Sequence, residues 1–353
     1  MIDTMTIYHE FKNYEEYENA KNTLDNYIKS FNKNQPLHWD GYRYTTNAFA
    51  SYGMEELYLK QNIKYRILVK LRPKLMIEDG NYNDVLRAYD IPELIMMYER
   101  HMNQIGLSQL SDLREWKAKR VDYAIDIIVS QNDIPVYIQL FKQGNIPEKL
   151  LNNDKTIEYW DADNNLYLAS TSYRVNFYDR YKTVRLKQEQ KKKEYHNVDC
   201  LYGVMRFEIQ LRDIDTTGLK KSGLIQKNSV EDFLNPDLCK YFVLKHYNTL
   251  IGKGNYYSYY DALSRCKSDT QRYIIKLVHE SGSIYEAKRR FIKDNKRKSE
   301  KKFSEIINKL QTNGINPVTL DSGYMENLYD KIAYQIDGSN KVLIRRRKIE
   351  YEE

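Results

Sequence analysis

The chain has 353 residues, of which 41% are hydrophobic and 30% are charged, and its formal net charge is +7. It contains no run of about 18 or more uncharged apolar residues, so we expect no membrane span. The N-terminus lacks a basic segment followed by an apolar one, so we expect no secretory signal. The three cysteines form no CxxC pair, which fits a reducing cytoplasm and indicates neither a disulfide framework nor a zinc site.

In the first 213 residues the hydrophobic periodicity predicts strands and helices in mixed order. The predicted strands cover 2–9, two segments within 36–51, 65–71, 119–129, 166–179 and 203–213, and the predicted helices cover 14–31, 92–106, 135–147 and 182–196. We expect Asn13 to cap the first helix and Gly106 to end the second. This order predicts an α+β fold with a mainly antiparallel sheet and helices on one face of it.

Beyond residue 214 strand patterns disappear and helical patterns dominate, over 228–252, 256–280, 283–312 and 322–334. The segment DTTGLKKSG has the Gly, Thr and Ser content of a linker, and we place a boundary within 214–228. The sequence thus predicts two domains, a sheet-containing domain over 1–215 and a helical, basic domain over 216–353. The tail 341–353 is predicted to be a last strand or a mobile basic arm.

Three predicted strands each carry one apolar and one polar face, because alternate residues of a strand point to opposite sides of a sheet. The apolar side chains are Val121, Tyr123, Ile125, Ile127, Tyr173, Val175, Phe177, Met205, Phe207, Ile209 and Leu211. The opposite positions hold Arg120, Asp122, Asp126, Arg174, Asn176, Tyr178, Arg206, Glu208, Gln210 and Arg212. If the strands are neighbours, these side chains form one polar surface.

This polar surface combines the residue types that cleave phosphodiesters. Carboxylates in oxygen-rich sites bind Mg²⁺ or Mn²⁺, and the candidate ligands are Asp122, Glu208 and Asp126. A tyrosine oxygen is a covalent nucleophile, and cationic side chains neutralise phosphate charge. A sheet with one solvated face gives the same pattern, so periodicity leaves that interpretation open.

The helical part carries a basic run, AKRRFIKDNKRKSEKKF, over 287–303. A solvated helix face is one interpretation. We favour contact with DNA phosphates, because apolar residues in the same segment still support a packed helical module, and a helix-turn-helix unit is one form it could take. The candidate DNA contacts of the whole chain are Arg120, Arg174, Lys182, Arg206, Arg289, Arg290, Lys293 and Arg297. The tyrosines in 255–263 are spaced for a helix core rather than for base stacking.

The motifs MIDT, KRVDYAID, RVNFYDRYK and MRFEIQLR follow one another in a single order. In that order the chain resembles the replication initiators of filamentous phages, the gene-two protein family, and their relatives on plasmids of low-GC Gram-positive bacteria. It is more remotely similar to the trans-acting rolling-circle plasmid initiators. The resemblance covers roughly residues 1–215.

The resemblance implies a metal-dependent enzyme that nicks and rejoins DNA. It implies that Tyr178 is the nucleophile and that Asp122 and Glu208 are metal ligands, with Tyr181 as a rival or partner of Tyr178. One departure is that the six histidines never form a His-hydrophobic-His metal motif. His38, within PLHWDGY, is interpreted as structural.

The implied function is a cytoplasmic rolling-circle initiator that nicks one strand at the origin, keeps a 5′-phosphotyrosyl bond and later rejoins the strand. The partners would be origin DNA and a host helicase and polymerase, because no GxxxxGK[ST] phosphate loop occurs. Two alternatives stay open: an origin-binding initiator or regulator that does not cut, and a conjugative relaxase with the same chemistry. Only an enzyme needs Tyr178, Asp122 and Glu208 to converge on one face.

Overall fold

The structure of the protein is a computed structural model. It describes residues 1–31, 43–44, 54–60, 65–77, 84–154, 156, 163–191, 198–212, 214, 216–295 and 299–337. The strands are β1 (Ile2–Glu10), β2 (Arg43–Tyr44), β3 (Met54–Lys60), β4 (Arg66–Leu71), β5 (Lys117–Ile128), β6 (Asn165–Ala169), β7 (Tyr173–Asp179), β8 (Val204–Arg212), β9 (Tyr256–Tyr257) and β10 (Tyr324–Met325). In the sheet-forming part the helices are α1 (Tyr14–Phe31), α2 (Pro73–Ile77), α3 (Ile91–Ile105), α4 (Asp133–Lys142), α5 (Glu148–Leu151) and α6 (Arg180–Lys191). Later helices are α7 (Thr216–Lys221), α8 (Val230–Leu234), α9 (Pro236–Leu250), α10 (Tyr259–Arg265), α11 (Asp269–Ser281), α12 (Ile284–Asn295) and α13 (Ser299–Thr312), and residues 329–337 are also helical.

The centre of the fold is an eight-stranded sheet with the order β2-β3-β4-β1-β5-β8-β7-β6. Every neighbouring pair in it is antiparallel. The three strands that carry the predicted polar face, β5, β8 and β7, are adjacent, as the predicted surface requires. The α+β class and the antiparallel sheet are confirmed.

The apolar face of this sheet packs against helices. Phe177 and Phe207 stack at 4.1 Å between ring centroids, and Phe141 of α4 approaches Phe177 at 4.8 Å. Tyr247 of α9 lies edge-on to Phe207 at 6.0 Å. Residues of α1, α3, α4 and α9 belong to the same buried cluster, so helices from both parts of the chain exclude water from one face and leave the other face for polar side chains.

Element boundaries follow local chemistry. Asn13 caps α1 as predicted, because its Oδ1 accepts a hydrogen bond from the Glu16 backbone N–H at 2.9 Å. Gly106 ends α3 in the left-handed region, with φ 88°. Asp179 marks the change from β7 to α6: it is fully buried, and its Oδ1 accepts from the Lys182 backbone N–H at 2.9 Å.

The predicted strand over 166–179 is wrong as a single element. Residues 165–179 form a hairpin of β6 and β7, in which Leu168 pairs with Val175. Ser170 sits in the turn, where its backbone N–H and side chain both bond to the Tyr173 carbonyl. Because the Ser170 side chain hydrogen-bonds within the turn, the segment Ser170–Ser172 forms a turn between two strands rather than part of one long strand.

The predicted long helices of the second part are each divided. Pro236 starts a new helix after Asn235, whose side chain accepts from the Asp237 N–H, so 228–252 becomes α8 and α9. The predicted 256–280 helix contains β9, α10 and α11, and β9 pairs with β10.

The sheet-forming part and the later helical part of the chain are in contact, since the Tyr123 hydroxyl donates to the Phe233 carbonyl at 2.9 Å. The domain boundary within 214–228 stays a prediction.

Some predicted features lie outside the described residues: most of the strand pair within 36–51, His38 and the tail 341–353. Within 36–51 the structure describes β2, whose partner β3 was not predicted. None of the helices in the described residues is both long and apolar enough to span a membrane.

Candidate active site

The polar face of the sheet is arranged in rows across β6, β7, β8 and β5. In one row Asn165 pairs with Tyr178, Tyr178 with Arg206 and Arg206 with Asp126. In the next row Asn176 pairs with Glu208. In the third row Gln210 lies between Arg174 and Asp122, and Asp122 pairs in turn with Thr4 of β1. The rows bring Tyr178, Glu208 and Asp122 onto one surface.

A cleft of about 290 Å³ opens on this surface. Tyr178, Glu208 and Asp122 all line it. Its five cationic lining residues are Lys70, Arg72, Arg120, Arg180 and Lys187, and its three carboxylates are Asp3, Asp122 and Glu208. Because the cations outnumber the carboxylates, the cleft suits a ligand that carries several negative charges.

Tyr178 lies in the cleft with only 8% of its surface exposed. Its hydroxyl donates a hydrogen bond to Glu208 Oε2 at 3.5 Å. Burial raises the pKa of Tyr178 well above its usual value, while the Arg206 charge lowers it and the Glu208 charge raises it. The phenol is therefore protonated at neutral pH and needs a proton acceptor before it can attack.

Glu208 and Asp122 are buried carboxyls that repel each other. Burial raises the pKa of Asp122 to about 7, against the opposing hydrogen bond from Arg120. Burial also raises the pKa of Glu208, and the negative charge of Asp3 adds to that effect. Arg120 contacts Asp122 at 2.5 Å, and the Gln210 side-chain amide donates to Glu208 Oε1 at 2.8 Å. Neighbouring buried carboxyl groups with raised pKa values are typical of functional sites.

Arg206 is fully buried between two carboxylates. Its guanidinium donates to both oxygens of Asp126, at 2.6 and 2.7 Å, and to Asp3 Oδ1 at 2.8 Å. That burial does not fit the predicted contact between Arg206 and a DNA phosphate. Arg206 instead ties β8 to β5 and to the start of β1, directly beside Tyr178.

The predicted metal ligands are brought together only in part. Among the residues described here, no group of three or more His, Cys, Asp and Glu side chains is arranged to hold a metal ion. Asp126 is not among the residues that line the cleft, and both its carboxylate oxygens bond to Arg206. Mg²⁺ is commonly held by one or two carboxylates plus water and substrate phosphate. Asp122 and Glu208 line the cleft and match this smaller number, and both oxygens of Asp122 accept from Arg120.

Three other predicted residues lie beside the cleft rather than in it. Tyr181 is on α6, where its hydroxyl accepts from Arg185 at 2.7 Å and its ring lies edge-on to Tyr202. Lys182 is on the same helix, 3.9 Å from Asp179. The Arg174 guanidinium lies 5.9 Å from the centre of the Tyr167 ring. The start of a helix after Asp179 turns Tyr181 away from Tyr178.

The predicted DNA contacts of the second part are exposed on α12. Arg289, Arg290 and Lys293 all lie at the protein surface, and Arg289 pairs with Glu286 at 3.1 Å. Arg297 lies outside the described residues. Tyr260 is also exposed, whereas Tyr256 is buried, so the tyrosines in 255–263 divide between surface and core.

Sequence reasoning missed several residues of the cleft. Asp3 enters it from β1, Lys70 and Arg72 from β4 and its end, and Lys187 from α6. Thr183 and Lys187 are four residues apart and therefore lie on one face of α6, which is the sequence pattern that could have placed Lys187 in the cleft. The contributions of β1 and β4 depend on the strand order, which no local pattern shows.

No protein-family model matches the chain, and no curated protein matches it significantly. Among solved structures, the chain is similar to a rolling circle replication initiator protein from Geobacillus stearothermophilus, with 14% sequence identity and a TM-score of 0.32. The similarity covers 71% of this chain and 84% of that chain.

Proposed function

We propose that the chain is a rolling-circle replication initiator that nicks one strand of origin DNA with Tyr178 and later rejoins it. The observation that carries the proposal is the convergence of Tyr178, Glu208 and Asp122 in one cationic cleft. Strand cleavage requires a nucleophile, a proton acceptor and a metal ligand in one place, whereas origin binding alone does not.

The nicking step follows from the contacts of Tyr178. Its phenolic proton passes to Glu208 Oε2, the carboxylate oxygen at 3.5 Å. The phenolate oxygen then attacks the phosphorus, the bond from phosphorus to the 3′-oxygen breaks, and the 3′-oxygen takes the proton that Glu208 had accepted. The products are a 5′-phosphotyrosyl bond and a free 3′-hydroxyl. The raised pKa of Glu208 makes it a stronger base than an ordinary carboxylate.

Cationic side chains around the cleft hold the strand. Arg72, Arg120 and Lys187 line it and neutralise phosphates on either side of the scissile bond. Arg206 acts indirectly, because its buried charge lowers the pKa of Tyr178 against the effect of burial.

Mg²⁺ or Mn²⁺ would be held by Asp122 together with water and substrate phosphate oxygens, while Glu208 accepts the phenolic proton, and the ion would polarise the phosphodiester and neutralise its developing charge. Burial and the Glu208 charge raise the pKa of Asp122, and a bound cation would favour its ionised form. Asp126 is left out of this proposal because it does not line the cleft.

The second part of the chain supplies contacts to duplex DNA through α12, whose outer face carries Arg289, Arg290 and Lys293.

The phosphotyrosyl bond conserves the energy of the cut bond, so rejoining needs no nucleotide cofactor. A host helicase and a host polymerase would unwind and extend the origin, and the reaction would take place in the cytoplasm.

The test is a cleavage assay on a supercoiled plasmid that carries the element's own origin, with Mg²⁺ or Mn²⁺ and with EDTA. Products are separated on a denaturing gel with and without protease treatment. We expect metal-dependent nicking with a protein-linked 5′ end. Tyr178→Phe should abolish nicking and retain DNA binding, and Tyr181→Phe should still nick. Origin binding without nicking in either metal would contradict the enzyme and favour the non-cutting initiator.

A further inference from the structure

Three side-chain amides of the cleft carry oxygen atoms that lack a donor. They are Asn165 Oδ1 on β6, Asn176 Oδ1 on β7 and Gln210 Oε1 on β8. Each oxygen is shielded from solvent, and no donor among the described residues reaches it. A buried acceptor without a donor costs free energy, and such groups in a native protein call for an explanation.

The three amides form a diagonal line across the sheet. Asn165 pairs with Tyr178, Asn176 lies two residues before Tyr178 on β7, and Gln210 pairs with Arg174, two residues before Asn176. From strand spacing and rise, the backbones of Asn165 and Gln210 are roughly 16 Å apart. That span is too long for the ligands of one cation, and it matches a single strand of nucleic acid lying beside Tyr178.

We propose that Asn165, Asn176 and Gln210 select the bases next to the scissile phosphate, with a preference for bases that carry an exocyclic amino group. The inference rests on the proposed binding of a DNA strand in the cleft. An amide oxygen accepts from the amino group of adenine, cytosine or guanine, and thymine has no such group. The terminal amide torsion is soft, so the oxygens of Asn165 and Asn176 can turn into the cleft when a base arrives, whereas Gln210 keeps its Nε2 bonded to Glu208 Oε1.

The surroundings of the amides suit bases as well as phosphates. The Tyr167 ring lies in the same row as Asn176, and the Arg174 guanidinium lies 5.9 Å from its centre. Aromatic rings and arginine planes stack on unpaired bases. Cations such as Arg72 and Lys187 line the cleft for the backbone, so base and phosphate contacts are both supplied.

The test measures binding of labelled single-stranded 12-mers by fluorescence anisotropy, without cleavage, in EDTA and, with Tyr178→Phe, in Mg²⁺. The probes are oligo-dA, oligo-dC, oligo-dT and an oligo-dA in which 2′-deoxynebularine, which lacks the amino group, replaces adenine. We expect the parent chain to bind oligo-dA and oligo-dC about tenfold more tightly than the nebularine probe and oligo-dT.

In Asn176→Ala and Gln210→Ala this preference should fall below about threefold, with binding of oligo-dT nearly unchanged. The control is Asn103→Ala, an exposed amide on α3, which should keep the full preference. Circular dichroism confirms that each variant is folded. If one variant does not fold, the base preference of Asn165→Ala is measured in its place.

Equal losses on all four probes, or an unchanged preference in the variants, would overturn the proposal. A loss seen only in Mg²⁺ and equal for all probes would assign the amides to a cation instead and would also overturn it. Base-selective binding by a chain that never nicks would keep this inference and contradict the proposed enzyme. Nicking without base preference would do the reverse.

Discussion

Tyr178 and Arg206 lie directly opposite each other on β7 and β8, and the guanidinium is fully buried. A buried cation is stable only when it is paired, and here Asp126 and Asp3 both accept from it. The same charge lowers the pKa of the neighbouring phenol. One ion-pair network thus holds three strands together and lowers the pKa of Tyr178 against the effect of burial.

Replacing Arg206 with Met should destabilise the protein by about 3 kcal/mol, because Asp126 and Asp3 are left without the charge that compensates them. The measurement is urea unfolding followed by circular dichroism. The matched control is Arg114→Ala, which breaks an exposed pair with Asp112 and should leave the free energy of unfolding nearly unchanged. Equal stability of Arg206→Met and the parent chain would contradict the network.

Asp122 should make stability depend on pH. Its pKa is raised to about 7 in the folded protein, so between pH 4 and 7 the folded state binds more protons than the unfolded state. Stability should therefore fall as pH rises through this window, by up to about 1.4 kcal/mol per pH unit from this group. In Asp122→Asn that contribution should be absent. Parallel pH profiles of unfolding free energy for the two proteins would contradict the assignment.

Glu208→Gln should raise stability and abolish nicking. At pH 8 the Glu208 carboxylate is buried near Asp3, and burial and this charge raise its pKa. The neutral isostere removes the repulsion, so we expect a gain of about 1 kcal/mol in urea unfolding at pH 8 and a smaller gain at pH 4.5. A destabilised variant would show that Glu208 serves structure rather than chemistry.

The outer face of α12 should bind duplex DNA through charge alone. Replacing Arg289, Arg290 and Lys293 together with Ala should weaken origin binding and reduce the slope of log affinity against log salt by about 3. Electrophoretic mobility shifts across a salt series give the slope. Arg100→Ala, an exposed change on α3, is the control. An unchanged slope would place the duplex contacts elsewhere.

Periodicity predicted the parts of this fold whose chemistry is local. The alternation in 203–213 predicts β8 and its two faces, because residues of a strand point to alternate sides. The hairpin of β6 and β7 was missed, because Ser170 also suits a strand until its turn bonds are known. Asp3 and Lys70 could not be assigned to the cleft, since β1 lies between β4 and β5 only in the folded sheet.

The burial of Arg206 shows that a local sequence pattern also fails to predict which functional side chains are accessible. Its position on the polar face predicts a phosphate contact, yet its guanidinium pairs with Asp126, which is 80 residues away in the chain. Tyr181 was predicted as a rival or partner of Tyr178, and the structure places it on α6, where its hydroxyl accepts from Arg185. Long-range pairing and helix capping, rather than residue type, decide which polar side chains remain available for chemistry.

The measurement that tests the central claim most directly is the identity of the tyrosine in the covalent DNA adduct. Trypsin cuts after Arg174, Arg180 and Lys182, so Tyr178 falls in VNFYDR and Tyr181 in YK. After reaction with a single-stranded origin oligonucleotide and nuclease trimming, mass spectrometry should find the nucleotide on VNFYDR. An adduct on YK or on any other peptide, or nicking with no adduct at all, would contradict the account.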